Sequence, residues 1–162
     1  MLAIRRQALF IGLVVLLDQV TKSWAVSALA DGRVIHVVGS LQFSLGFNSG
    51  FAFSQGQGMG PLVGFFAIIA VLFLIRAVRK ATTQLSALAL CAIVAGAIGN
   101  IADRIFRGDG WLHGRVVDFI DVQWWPVFNV ADSSITVGAC ALIAAMLMES
   151  RIGKGVDNAH ES

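Results

Sequence analysis

Residues 81–102 read ATTQLSALALCAIVAGAIGNIA and contain no charged side chain. A helix needs about 20 apolar residues to cross a bilayer, so this stretch is long enough to span one. Three further stretches, at 7–26, 61–78 and 130–148, are also predominantly apolar. The sequence therefore predicts an all-α membrane bundle of four transmembrane helices.

The overall composition agrees with a membrane protein. Hydrophobic residues make up 57% of the chain and charged residues only 14%, whereas soluble domains have roughly 25% charged residues. The length of 162 residues predicts one integral membrane domain, with outer connections at 31–60 and 103–129 and a polar, frayed tail at 151–162. The net charge is only +2, and no stretch of the chain has basic residues interleaved with aromatic ones, so we expect no nucleic-acid partner.

Basic residues predict the orientation of the bundle. They lie before the first span, in the turn between the second and third, and after the fourth: Arg5, Arg6, Arg76, Arg79, Lys80, Arg151 and Lys154. The positive-inside rule then predicts that both termini are cytoplasmic. The tryptophans fall near the opposite, outer side, as an interfacial belt does: Trp24, Trp111, Trp124 and Trp125.

The N-terminus has a competing interpretation as a secretory signal. Residues 8–17 resemble an apolar signal core, and 28–30 (ALA) resemble a cleavage site. The polar residues at 18–19 and 21–23 make the segment before that site too long, so a retained first span is favoured.

The first outer connection contains an alternating pattern. Apolar residues at 41, 43, 45 and 47 alternate with Gln42, Ser44, Gly46 and Asn48, which predicts an amphipathic strand. One face is expected to rest on lipid or on the bundle, as a small β platform. The glycines at 56, 60 and 64 match a helix-packing motif, although weakly in so glycine-rich a stretch.

Polar residues within the spans are costly and therefore informative. Asp18 and Lys22 are four residues apart, which predicts an ion pair on one helical face; orienting a neighbouring loop or a lipid headgroup is the less favoured alternative. Gly96, Asn100 and Asp103 share a face of the third span, where glycine permits close helix approach. We expect Asn100 and Asp103 to support other groups.

Asp118 and Asp132 flank the start of the last span. Each has an ordinary interpretation: Asp118 as a buried strand residue, and Asp132 as the N-cap of a helix. Two neighbouring carboxyls can instead share one proton and divide acid and base roles, as in an aspartyl protease. Structural ion networks also cluster carboxylates, so the residues alone leave both interpretations open.

Other chemistries find less support. Ser133 and Ser134 have no histidine in a recognisable arrangement, and no serine motif supports a dyad with Lys22. Cys91 and Cys140 are predicted to be buried free thiols. No metal-ligand spacing and no phosphate-binding loop is present, so no metal or cofactor is predicted.

The whole chain resembles the bacterial prolipoprotein signal peptidases, or type II signal peptidases. Five motifs carry the resemblance in order: DQVTK at 18–22, FNSGFAFS at 47–54, GNIADR at 99–104, VVDF at 116–119 and FNVADS at 128–133. One departure is Phe51, where the family usually has a small residue. It places the local geometry of that loop in question.

The resemblance implies an aspartic endopeptidase of the bacterial inner membrane, active at the periplasmic face without metal or cofactor. Its substrates are prolipoproteins, cleaved just before a diacylglyceryl-modified cysteine. Asp118 and Asp132 are its catalytic residues, and the substrate-binding or site-supporting residues are Asn48, Asn100, Asp103, Arg104, Asn129, Asp18 and Lys22. It also implies contact with membrane lipids, block by globomycin-type inhibitors and a monomer. The outer connection from Arg104 to Trp125 is rich in glycine and tryptophan, and we expect it to act as a lid.

A small proton- or cation-coupled membrane carrier is the alternative, with Asp18, Asp118 and Asp132 as ion sites. Carriers tend to place such residues near the membrane midplane and to contain repeats. Here the acids cluster towards one surface and no half-repeat is evident. A non-catalytic assembly subunit is a third possibility.

Overall fold

A computed structural model describes residues 2–50 and 59–160 of the chain. In chain order its elements are α1 (Leu2–Ala28), β1 (Ile35–Val38), β2 (Leu41–Asn48), α2 (Gly60–Lys80), α3 (Gln84–Phe106), β3 (Val116–Asp121) and α4 (Val130–His160). All four helices are long and apolar enough to cross a membrane. The predicted four-helix bundle with a small β platform is confirmed.

Helix α3 lies at the centre of the bundle and packs against α1, α2 and α4. Glycines make its contact with α4 close. A Cβ atom on Gly96 would clash with the Ala131 carbonyl oxygen, and one on Gly138 would lie 2.8 Å from the Ala89 carbonyl oxygen. The prediction that Gly96 allows close helix approach is confirmed.

The end of the bundle away from the sheet differs in detail from the prediction. Helix α3 begins at Gln84, three residues late, because the Thr83 side chain accepts a hydrogen bond from the Ser86 N–H at 3.2 Å and caps the helix. Arg79 and Lys80 belong to the last turn of α2 instead of the connecting turn. Basic residues are favourable there, at the negative end of the helix dipole.

Helix α4 continues past residue 148 to His160, through the tail that was predicted to fray. Near this end Glu149 joins α4 to the turn between α2 and α3. Its Oε1 accepts hydrogen bonds from the hydroxyls of Thr82, Thr83 and Ser86 at 3.1, 3.1 and 3.2 Å.

The three strands form an antiparallel sheet in the order β1-β2-β3. The strand predicted at 41–47 is confirmed as β2. Phe43 packs edge-on against Trp24 of α1, while Gln42 and Ser44 both donate hydrogen bonds to Asp121 of β3. The apolar side of β2 therefore rests on the bundle.

One further expectation needs correction. Cys91 is buried, but Cys140 is exposed on a face of α4 that does not pack against the bundle. The glycine motif places Gly60 against the Ser49 and Leu112 backbones, and Gly64 against the Leu112 side chain and Arg104 Cδ of α3. Gly56 and Phe51 lie outside the described residues.

Candidate active site

Asp118 lies in β3 and is 7% exposed. The strand is held from behind, because the Val117 N–H donates a hydrogen bond to Asp103 Oδ2 at 3.1 Å. On the neighbouring strand Gly46 is the register partner of Asp118. The carboxyl therefore sits on an element that is fixed by both sheet pairing and helix α3.

Asp132 lies in the first turn of α4, but it is not the N-cap. The Asp132 N–H donates a hydrogen bond to Asn129 Oδ1 at 2.8 Å, and the Asn129 N–H donates one to Asp132 Oδ2 at 3.3 Å. These reciprocal bonds form a capping box with Asn129 as N-cap and Asp132 at the third helical position. The prediction was wrong by three residues because the helix begins at Val130.

Each carboxylate also accepts a hydrogen bond from a separate side-chain amide. Asn100 Nδ2 donates to Asp132 Oδ1 at 2.8 Å, and Asn129 Nδ2 donates to Asp118 Oδ1 at 2.6 Å. Asn100 comes from α3, so three elements converge at this point. Asn100 and Asn129 therefore each contact one of the two carboxylates.

The two aspartates face a common cavity of about 440 Å³. Asn48, Asn100, Arg104 and Thr136 complete its polar lining. The apolar part of the wall comes from several packed elements: Val63, Ala67, Ala97, Val116, Trp125, Pro126, Val127, Phe128 and Ile135. A cavity with a few convergent polar groups in an apolar wall is typical of a ligand site.

Burial and the neighbouring carboxylate raise the pKa of Asp118 to about 7. Desolvation is the larger cause, since a buried carboxylate loses its hydration, and the charge of Asp132 adds repulsion. The hydrogen bond from Asn129 acts in the opposite direction. This environment therefore allows Asp118 to hold a proton at pH values up to about neutral.

Arg104 brings a positive charge to the same cavity although only 6% of the residue is exposed. Its Nη2 donates to the Gly50 carbonyl at 3.0 Å and its Nη1 to the Asn100 carbonyl at 3.2 Å. Its buried Nε has no partner among the described residues. The guanidinium thus joins the loop after β2 to α3.

Behind the cavity wall lies a buried ion cluster that we call the Lys22 cluster: Lys22, Asp18 and Asp103. The Lys22 ammonium contacts Asp18 Oδ2 and Asp103 Oδ2, each at 2.9 Å. The predicted i,i+4 pair of Asp18 and Lys22 is confirmed and extended by a third member. These residues do not line the cavity.

Gln19 and Arg107 contact the Lys22 cluster, but they were not identified as supporting residues from the sequence. Gln19 Nε2 lies 3.1 Å from oxygens of Asp18, Gly99 and Asp103, and Arg107 Nε donates to Asp103 Oδ1 at 2.8 Å. Their positions could have indicated these contacts, since Gln19 follows Asp18 directly and Arg107 lies one helical turn beyond Asp103.

The two serines of α4 have structural partners. Ser133 Oγ donates to the Asn129 carbonyl at 3.0 Å, and Ser134 Oγ donates to the Ala92 carbonyl at 2.8 Å. Lys22 makes its contacts with Asp18, Asp103 and Asn100. The aspartates are therefore better placed for chemistry than a serine–lysine pair.

The model of the family described as Signal peptidase (SPase) II matches residues 10–148. The chain belongs to the signal peptidase II family. Membership in this family makes the chain an aspartic-type protease, which does not favour the alternative of a membrane carrier. With its four candidate spans, it is a multi-pass bacterial membrane protein.

Relatives within the signal peptidase II family cover most of this chain. It is 41% identical over 147 residues to a lipoprotein signal peptidase of Rhodococcus jostii, covering 89% of this chain and 74% of that one. Identity is 43% over 135 residues to that of Mycolicibacterium smegmatis, covering 83% of this chain and 57% of the relative. The identity to the lipoprotein signal peptidase of Mycobacterium leprae is 42% over 140 residues, covering 85% of this chain and 70% of the relative.

Two solved structures described as bacterial membrane enzymes share the fold. One superposes with a TM-score of 0.78 at 30% identity, covering 91% of this chain and 90% of that chain. The other gives a TM-score of 0.76 at 31% identity, covering 89% and 94%. The arrangement of helices and sheet is therefore similar to that of membrane enzymes already solved.

Proposed function

We propose that this chain removes the signal peptide from prolipoproteins, cutting just before a cysteine that carries diacylglycerol, with Asp118 and Asp132 as the catalytic residues. One observation carries the proposal. Two carboxylates from separate elements line one cavity, and each is oriented by its own asparagine amide. Fixed geometry of this kind is what acid–base catalysis requires.

The surroundings favour different protonation states for the two acids. Asp132 accepts two N–H donors, from Asn100 and Asn129, at the positive end of the α4 dipole. Asp118 is more buried, and its pKa, raised to about 7, lets it hold a proton at pH values up to neutral. We therefore assign Asp132 as the ionised base and Asp118 as the acid.

In the reaction, Asp132 removes a proton from water while the water oxygen attacks the scissile carbonyl carbon. Asp118 donates its proton to the carbonyl oxygen, which gives a neutral tetrahedral intermediate. The peptide C–N bond then breaks as Asp132 passes its proton to the departing nitrogen. Asp118 recovers its proton from the hydroxyl group as the carbonyl reforms, so both acids return to their starting states.

Arg104 and Asn48 are proposed to bind the substrate backbone. Both line the cavity with the two aspartates. The Asn48 side-chain oxygen accepts the Gly50 N–H at 2.9 Å, and Arg104 Nη2 binds the carbonyl of the same Gly50. Gly50, just after β2, is thereby fixed against the cavity, where an extended peptide has backbone groups to pair.

We propose that the sheet end of the bundle is the outer, periplasmic side and that both termini are cytoplasmic. Trp24 packs on the sheet, and the other tryptophans lie in the connection at the same end, with 52–76% of each exposed. Arg79 and Lys80 lie at the opposite end of α2. Both distributions agree with the usual membrane preferences.

An apolar cavity of about 500 Å³ adjoins the dyad and is proposed to receive lipid. Asp132, Trp125, Phe128 and Thr136 line both cavities, so the two are direct neighbours. The remaining wall comes from Val122, Trp124, Ser133 and Val137. Diacylglycerol on the cysteine beside the scissile bond fits such a surface, and globomycin-type inhibitors are expected to compete for the same space.

The outer connection at 103–129 is proposed to include a lid. Its last part, from Trp125 to Phe128, covers one side of the dyad cavity. The first part of the connection is anchored to the bundle, because the Gly114 N–H donates to the Arg104 carbonyl at 2.9 Å and the buried Leu112 side chain lies against Gly64 of α2. Motion is therefore expected at 122–127, and the protein is expected to act as a monomer.

The decisive assay uses purified protein in detergent or vesicles with a prolipoprotein prepared with and without its diacylglyceryl group. Mass spectrometry of the products should place the cut immediately before the lipidated cysteine, and the unmodified precursor should remain intact. Equal cleavage of both precursors, or a cut elsewhere, would refute the proposed specificity.

A further inference from the structure

Lys22 is a buried ammonium whose three donors meet three oxygens. It is 0% exposed, and its Nζ lies 2.9 Å from Asp18 Oδ2, from Asp103 Oδ2 and from Asn100 Oδ1. An ammonium group has three N–H donors and no acceptor. The described partners therefore use its full hydrogen-bonding capacity.

This arrangement determines which end of the Asn100 amide faces the dyad. Lys22 can only donate, so Asn100 must turn its oxygen toward the ammonium, and Asn129 Nδ2 donates to the same oxygen at a longer 3.4 Å. The NH2 group is then directed to Asp132 Oδ1, at 2.8 Å. A rotated amide would present oxygen to the carboxylate, which is a repulsive contact.

Asp18 and Asp103, whose carboxylates pair with the Lys22 charge, also accept hydrogen bonds from the backbone just before each catalytic residue. Asp18 Oδ1 accepts the N–H of Ala131 at 2.9 Å, and Ala131 precedes Asp132. Asp103 Oδ2 accepts the N–H of Val117 at 3.1 Å. Val117 precedes Asp118, so the Lys22 cluster is tied to both halves of the dyad.

We propose that Lys22 is a positioning residue for the reaction, which fixes the Asn100 amide so that a donor faces Asp132. It does not line the cavity and acts only through its neighbours. The inference rests on the proposed function, and it assigns a specific task to a residue that the family resemblance names only as substrate-binding or site-supporting.

The test replaces Lys22 by methionine, which keeps the length of the side chain without its donors. We expect kcat to fall about 10- to 100-fold, as for lost outer contacts that orient a site, while KM stays within about twofold because the cavity wall is intact. Lys80→Met is the matched control, since Lys80 is exposed at the far end of α2, and it should cleave at the normal rate.

A second variant separates positioning from folding. Lys22→Met alone leaves two buried carboxylates with less compensation, which destabilises the fold. The double variant Asp18→Asn with Lys22→Met removes one negative and one positive charge together, and the new side-chain amide at position 18 retains an oxygen for the Ala131 N–H. It should regain thermal stability relative to Lys22→Met while kcat remains low.

A double-mutant cycle with Asn100→Ala tests the route of the effect. If Lys22 acts through the Asn100 amide, Lys22→Met should lower kcat by less than about twofold in the Asn100→Ala background. Independent, multiplicative losses would overturn the inference, as would wild-type kcat in the charge-balanced double variant. Failure of the proposed function looks different: wild-type protein would not cleave the lipidated precursor, or Asp132→Asn would cleave it normally.

Discussion

Substituting Gly96 by alanine should impair catalysis from a position outside the cavity. The new methyl group would clash with the Ala131 carbonyl oxygen and lie 2.7 Å from Ile135 Cγ1, whereas ordinary contacts begin at 3.4 Å. Relieving the backbone clash requires α4 to move away from α3 by about 1 Å, since well-packed helices have no spare volume. Overpacking of this kind costs about 1–3 kcal/mol of stability.

The displacement acts directly on the dyad. Ala131 precedes Asp132, and Asn100 lies one turn beyond Gly96 on the same face of α3. A movement of about 1 Å would stretch the hydrogen bond of 2.8 Å between Asn100 and Asp132 beyond bonding range. Misplacement by this amount can lower kcat about 100-fold, or about 2.7 kcal/mol in the activation barrier.

The assay compares kcat for the lipidated precursor with the melting temperature in the same detergent. Gly138→Ala is a control on the same interface, because the new Cβ would lie 2.8 Å from the Ala89 carbonyl oxygen. Position 138 is six residues beyond Asp132 in the sequence, so the clash is farther from the dyad. It should lower the melting temperature with a much smaller effect on kcat. Gly12→Ala, with nothing within 4 Å, should change neither. The reasoning is refuted if Gly96→Ala keeps normal kcat, or if Gly138→Ala loses as much.

Two further perturbations test other parts of the account. The folded-state pKa of Asp118, about 7, lies above its ordinary value of 3.8, so its contribution to stability should be complete below about pH 4 and lost as pH rises through 7. The melting temperature of Asp118→Asn, relative to that of wild type, should therefore increase as pH rises from about 4 to about 7. Wild-type kcat should fall on the alkaline side, with a midpoint near pH 7. A difference in melting temperature that stays constant with pH would contradict the burial of this acid. Glu149→Ala removes the acceptor of three hydroxyls at the far end of α4, so it should cost about 1 kcal/mol of stability and leave kcat unchanged; an unaltered melting temperature would show that this contact is not stabilising.

The helices and the strand at 41–47 were predictable because local periodicity and length determine them. The i,i+4 pair of Asp18 and Lys22 followed from helix geometry alone. The third member, Asp103, did not, because it lies 81 residues beyond Lys22 and only the packing of α1 on α3 brings them together. Long-range contacts of this kind leave no local pattern in one sequence.

The errors have similar physical causes. Asn129 and Asp132 are both good capping residues, so sequence alone did not decide which one begins α4; the reciprocal hydrogen bonds do. Cys140 was predicted to be buried because it is apolar. In a membrane helix, however, apolar residues suit the lipid-facing side as well as the bundle core.

The central claim is that Asp118 and Asp132 perform the cleavage together. Its most direct test is the rate at which purified Asp118→Asn and Asp132→Asn variants cleave a diacylglyceryl-modified prolipoprotein, measured on samples whose melting curves show a folded protein. Each substitution preserves size but removes a group that must exchange a proton, so each should lower kcat by about 100-fold or more. Cleavage by either folded variant at the wild-type rate would contradict the assignment.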